Sequence, residues 1–173
     1  MAEQVTESFD DFVRGRSTSL LRSAYLLTGD QHLAEDLVQA ALGKTHLAWR
    51  RVRIETAEAY TRRVMYHEHV SRWRRSRVAE SLPGELPEQR SPLDATADID
   101  TRLAVRRALL RLGKRQRAVL VLRYFEDRTE RETAELLGIS VGTVKSQTHR
   151  ALAQLRVIAP ELSNFGFPEG VTR

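Results

Sequence analysis

The chain's 173 residues suffice for one ordinary domain or two small ones, and its 41% hydrophobic and 29% charged content predicts folded cores rather than disorder. It has no cysteine, which excludes disulfides and thiolate metal sites. It also lacks an apolar run near the ~20 residues of a membrane span, and its start, Met1 to Asp11, is acidic where a secretory signal is basic and then apolar. A cytoplasmic protein without membrane insertion is expected. Lys and Arg number 28 against 23 Asp and Glu, and nearly all the bases are Arg, whose planar fork suits phosphates and base edges.

In chain order the first predicted helix carries Phe9, Phe12, Val13, Leu20, Ala24 and Leu27 at helical spacing, and Thr28-Gly29-Asp30 stops it. Ala34, Leu37, Val38, Ala41, Leu42, Thr45 and Trp49 then form the clearest amphipathic stripe. A third helix is expected from about Thr56 to Arg75, with Tyr60, Val64 and Val70 on its apolar side. No segment alternates as a half-buried strand would.

The stretch Ser81 to Pro92 holds three of the five prolines and no apolar periodicity, so it reads as an extended linker. It falls in an acidic region, with five acids and one Arg over 81–100, between basic blocks: ten bases against four acids over 41–80, and thirteen against five over 101–156. The expected organisation is all-α: a helical bundle over 5–78, a flexible acidic linker over 79–100, a second helical domain over 101–158 and a tail over 159–173. Such small units are near the lower limit for independent folding.

In the second block Leu103, Ala104, Ala108 and Leu112 mark one helix. Gln116 to Phe125 is read as another, although Val119-Leu120-Val121-Leu122 could pass for a buried strand. Thr129 and Glu132 have capping-box spacing. The helix they open turns Ala134 and Leu137 inward and ends at Gly138. Ser140 can cap the next helix, Val141 to Arg156. Its inward face is Val141, Val144, Thr148, Ala151, Leu152 and Leu155; Thr143, Lys145, Ser146, His149 and Arg150 face outward. A short capped helix, a glycine turn and a second helix with a polar, basic outer face is a helix-turn-helix, whose second helix enters the major groove. Lys145 and Arg150 can there reach phosphates or guanine edges.

The first basic block places Arg62, Arg63, Arg72, Arg74, Arg75 and Arg77 with Tyr60, Tyr66 and Trp73 on one helix. Arginines that follow a backbone and aromatics that stack on unpaired bases suit a melting duplex. His67 and His69 flank Glu68, but two residues apart on a helix they point different ways, so no metal site is expected. No nucleophile–base pair, glycine-rich phosphate loop or carboxylate constellation is present, so the chain is read as a non-enzyme without cofactor.

At this point the residues resemble a known family. Ala24 to Asp30 followed by Ala34 to Gln39 looks like the second conserved region of extracytoplasmic-function sigma factors. Arg117 to Asp127 and Glu132 to Gly138, running into Val141 to Ser146, resemble their fourth region. The resemblance implies binding to core RNA polymerase, with Asp36 and Gln39 at positions that dock on the clamp helices. It implies reading and opening of the minus-ten element by Arg62, Arg63, His67, Arg72, Trp73, Arg74 and Arg75. The loop from about Arg50 to Thr56 would receive a flipped-out base, and Thr143, Lys145, Ser146, His149 and Arg150 would read the minus-thirty-five element. Regulation by an anti-sigma factor is expected from the same likeness. His67 stands where the family often has Asn; imidazole cannot present an amide's paired edge. Gly113-Lys114 stands where Leu-Pro is common, and the tail with Phe165 and Phe167 has no counterpart. A stand-alone helix-turn-helix regulator would leave the resemblance over 28–49 unexplained; a purely protein-binding adaptor would not need Arg74 and Arg75.

Overall fold

A computed structural model describes residues 8–76 and 99–164, without the side chains of 72–76, 99, 163 and 164. Expectations for the linker over 79–98 and for Phe165 and Phe167 in the tail lie outside the described residues. Those residues are helical with no strand, as expected: α1 (Phe9–Thr28), α2 (Gln31–Ala48), α3 (Ile54–Ser76), α4 (Ile99–Leu110), α5 (Lys114–Leu120), α6 (Glu130–Leu137) and α7 (Val141–Ile158), with a terminal 3-10 turn (Pro160–Asn164).

The helix ends follow from local chemistry. Ser8 caps α1 by accepting the Asp11 N–H at 3.2 Å. Gly29 ends the helix at φ 73°, a left-handed conformation that glycine takes without steric cost. Asp30 then caps α2 through the Leu33 N–H at 2.9 Å. At the far end of this pair, Phe9 and Phe12 pack on His46 and Trp49, with Phe12 and Trp49 centroids 5.2 Å apart. That aromatic cluster anchors the start of the 50–53 loop.

The stripes expected on α1 and α2 face the core, with Phe12, Leu20, Ala24, Leu27, Ala34, Leu37, Val38, Ala41 and Thr45 buried. The face expected on α3 needs correction. Tyr60, Val64 and Val70 are only half-buried, whereas Ala57, Thr61, Arg62, Met65, Tyr66 and His69 are buried. Three of those six, Thr61, Arg62 and His69, are polar or charged, so hydrophobic spacing could not locate the face. Thr61 shows why polarity is tolerated: its hydroxyl bonds the Ala57 carbonyl at 2.8 Å and the Thr45 hydroxyl at 2.9 Å.

In the second half Val119, Leu120, Val121 and Leu122 are fully buried, and they are helical rather than extended. Their run is continuous because α5 is central, touching α7, α3 and α1. Gly113 cannot cap α5 with a side chain; Gln116 instead reaches back and accepts the Gly113 N–H at 3.2 Å. After Leu120 the helix widens into a π-turn (Val121–Phe125), closed by the Glu126 N–H on the Val121 carbonyl at 3.0 Å. Single π-turns of this kind concentrate at functional sites. Asp127 follows at φ 50°, a conformation that Asp tolerates better than most residues.

The helix-turn-helix forms as expected. Thr129 accepts the Glu132 N–H at 3.2 Å, and the Glu132 carboxylate accepts the Thr129 N–H at 2.7 Å. Gly138 is left-handed at φ 64°, and Ser140 caps α7 through the Thr143 N–H at 3.1 Å. Val141, assigned inward from sequence, is exposed at the first turn of α7. A first-turn residue precedes the point where α7 begins to pack, and Val144 is the first buried anchor.

The two halves pack on one another. Leu20, Tyr25 and Leu27 share one buried cluster with Leu109, Leu112, Leu120 and Leu122. Each fully buried leucine contributes about 1.5–3 kcal/mol relative to exposure. Where α1 ends, Leu110 lies so close that a Cβ on Gly29 would stand 2.5 Å from its methyl carbons. Substitution there would meet both strain and a neighbour from the other domain.

Candidate nucleic-acid interface

On α7 the buried side is Val144, Ala151, Leu152 and Leu155, which turns Lys145, Ser146, His149 and Arg150 to solvent and leaves Thr143 half-buried. Lys145 makes a loose ion pair, 3.8 Å from Glu130. Exposed pairs of this kind hold weakly. Both cations are therefore free to approach phosphates, and the face is continuous over two turns.

On α2 Asp36 and Gln39 are exposed opposite the buried stripe, on a surface that also shows Leu33 and, farther along, Leu47. Exposed leucines beside polar groups suit a protein partner rather than DNA.

The residues expected on α3 divide. Arg63 is exposed and borders a wide cleft with Arg51, Arg53, Tyr60 and, from the other domain, Arg128. That cleft runs along the loop expected to receive a flipped-out base. His67 is exposed and lies beside the turn of the helix-turn-helix, where a Cβ on Gly138 would meet its Cε1 at 3.4 Å. Burial, and then the charge of Arg63, hold its pKa below the ordinary histidine value, so the ring is neutral at pH 7. Arg72, Trp73, Arg74 and Arg75 belong to α3, but their side chains lie outside the described atoms.

Arg62 and Tyr66 are placed otherwise than expected. The Arg62 side chain is 6% exposed, and its Nη1 lies 2.6 Å from Glu126 Oε1, itself on a side chain 7% exposed. It also donates to Glu58 and Ser19 at 3.1 Å and to Ser23 at 3.3 Å. Tyr66, considered a candidate for base stacking, is fully buried and donates to Glu126 Oε1 at 2.9 Å. Burial first, and then the Glu126 charge, push the phenol pKa well above 10, so it remains a donor. Ser23 completes the set with a close hydrogen bond to the same carboxylate oxygen. In this arrangement neither Arg62 nor Tyr66 reaches solvent.

Sequence reasoning missed Glu126, Ser23 and Arg117. Arg117 is buried and donates to the Leu109, Leu110 and Leu112 carbonyls at 2.8–3.2 Å, and closely to the Leu27 carbonyl of the first domain. It thereby neutralises the ends of α4 and α1, where carbonyl oxygens accumulate. Burial lowers its pKa to about 10, so it stays charged at neutral pH. The signal available for Glu126 was an acid in a basic block, shortly after the apolar run Ala118 to Leu122. No group of three or more His, Asp or Glu among the described residues could hold a metal ion.

The geometry can be set beside known proteins. Residues 12–78 match the Sigma-70 region 2 family and residues 102–155 the Sigma-70 region 4 family. The chain is 43% identical over 150 residues to the RNA polymerase sigma-E factor of Streptomyces coelicolor, covering 86% of this chain and 84% of that protein. It is 32% identical over 149 residues to the ECF RNA polymerase sigma factor SigM of Mycobacterium tuberculosis, covering 86% and 75% respectively. In fold it resembles the sigma factor RpoE solved with the anti-sigma factor NepR from Bartonella quintana, with TM-score 0.65, 24% identity and coverage of 88% and 96%. It also resembles CnrH solved with the cytosolic domain of CnrY, with TM-score 0.63, 21% identity and 88% of each chain covered. The protein belongs to the extracytoplasmic-function sigma factors of the sigma-70 family.

Proposed function

We propose that this sigma factor directs core polymerase to promoters whose minus-thirty-five element is read by the outer face of α7 and whose minus-ten element is opened along α3. The observation that carries the reading is that one chain holds both matched regions, in order, with the Lys145–Arg150 face open to solvent. Thr143, Lys145, Ser146, His149 and Arg150 contact the duplex. Asp36 and Gln39 dock on polymerase. Arg63, His67, Arg72, Trp73, Arg74 and Arg75 hold the parting strand, and the 5–78 and 101–158 units act as separate readers joined by the 79–100 segment. Polymerase fixes the spacing of the two readers, so their binding energies combine. Opening follows because α3 binds the separated strand better than the duplex.

An anti-sigma factor is the expected inhibitor, which the partners of the fold neighbours support. No helix of the described residues is long and apolar enough to cross a membrane, and a cytoplasmic location fits the family. The test is multi-round transcription with purified bacterial core polymerase on genomic fragments that include the protein's own upstream region. Discrete, protein-dependent transcripts are expected; failure to bind core would overturn the reading.

A further inference from the structure

We infer that Glu126 is an internal latch that holds the two domains closed and keeps part of the α3 surface covered until the protein is engaged. The inference rests on the reading of α3 as a DNA-contacting helix. The closure itself stands on geometry alone.

A single carboxylate from the second domain enters the first and collects three donors there: Arg62, Ser23 and Tyr66. From its own domain it has Arg128 at 4.0 Å. The π-turn and the left-handed Asp127 aim it across the interface, so the sequence spends irregular backbone to place this one group. On the other side Arg62 is held from behind by Glu58, which Arg16 braces at 3.0 Å. Charge and shape are thus matched over six side chains: Arg16 and Ser23 from α1, Glu58, Arg62 and Tyr66 from α3, and Glu126 at the end of the π-turn. A surface built only to pack two domains has no need of such a device; apolar residues of the same volume serve as well or better. Beside the apolar cluster that the halves share, this polar set is the part of the interface that water or a competing ion can replace.

What the latch covers is selective. Arg62 and Tyr66 are withdrawn, whereas His67 stays exposed beside the helix-turn-helix turn. The α7 outer face stays open. Closed protein therefore presents one DNA reader and hides part of the other. Release removes Glu126 from the Arg62 guanidinium, whose remaining partners Glu58, Ser19 and Ser23 lie in its own domain.

The chain has no cysteine, so cysteines placed at Leu47 and Val157, 86% and 81% exposed, accept labels uniquely. Pulsed electron spin resonance on the full-length protein then reports the distance between domains. The parent is expected to give one narrow distribution. Glu126→Ala should raise the ratio of open to closed molecules at least about tenfold, the shift that 1.4 kcal/mol produces, and Tyr66→Phe about threefold. Circular dichroism checks that helix content is kept. A broad distribution in the parent, or a narrow one in a folded Glu126→Ala protein, overturns the latch. If Glu126→Ala loses helix, Tyr66→Phe decides: an unchanged distribution overturns the inference. Transcription by unlabelled Glu126→Ala at limiting concentration should equal or exceed that of the parent. Absence of transcription with the parent, alongside a narrow distribution that Glu126→Ala broadens, would sink the sigma reading and leave the latch standing.

Discussion

The two helices that carry the candidate DNA contacts, α3 and α7, are treated in opposite ways by the same fold. Helix α7 buries an apolar stripe against its own domain and leaves its cations in water. Helix α3 buries Thr61, Arg62, Tyr66 and His69, some of them against the other domain. The difference fits what each helix is proposed to read. A duplex reader needs a preformed rigid face, which a hydrophobic underside supplies. A helix that holds separated strands acts only after opening, so its surface can be committed elsewhere beforehand.

The sharpest way to break this contrast is at the end of α3. Arg74→Ala with Arg75→Ala should reduce open-complex formation at least tenfold, while holoenzyme still binds the closed promoter; permanganate footprinting of unpaired thymines checks it. A protein that melts promoters normally without these arginines would remove α3 from the comparison. On α7, Lys145→Ala with Arg150→Ala should weaken promoter binding by holoenzyme by about 1–3 kcal/mol per lost base contact. It should also flatten the salt dependence of binding. Thermal stability should not change, because neither side chain packs. Gel-shift titration at several salt concentrations gives both numbers.

The covered helix also predicts a pH effect. His69 has its pKa lowered to about 3 by burial first, and then by Arg117 and Lys114 of the second domain. A histidine whose folded pKa lies below its unfolded value of about 6.5 binds its proton more readily when unfolded. Stability is therefore complete above pH 6.5 and falls on acidification toward pH 3. The slope reaches at most about 1.4 kcal/mol per pH unit. Urea unfolding at pH 7, 6 and 5 should show it, and His69→Gln should flatten it. The smallest effect belongs to the open reader's scaffold: Thr129→Ala removes the α6 cap and should cost about 1 kcal/mol in the same assay.

Much of the architecture was legible because it is local. Gly29, Asp30, Thr129, Glu132, Gly138 and Ser140 announce helix ends through their own backbone preferences, and each behaves as expected. The stripes of α1 and α2 were readable because their buried residues are apolar. The α3 face was not, because its burial is satisfied by partners far away in the chain. Arg62 meets Glu126 across 64 residues, and Tyr66 meets it across 60. No periodicity records such a pairing. An arginine-rich helix reads the same from sequence whether its cations face water or a carboxylate. The candidate site was correspondingly legible on α7 and only partly so on α3.

Arg117 and Glu126 both bridge the domains, yet they part on unequal terms. When the halves separate, Arg117 gives up one carbonyl, that of Leu27, and keeps three within its own domain. Water readily replaces the lost acceptor, and the ends of α4 remain sealed. Glu126 gives up three donors together and keeps only the distant Arg128. Of these two polar ties, the larger loss on separation thus falls on Glu126, beside the apolar cluster that both halves share. The polar share of the joint is therefore concentrated where one substitution, at Glu126, removes three hydrogen bonds at once.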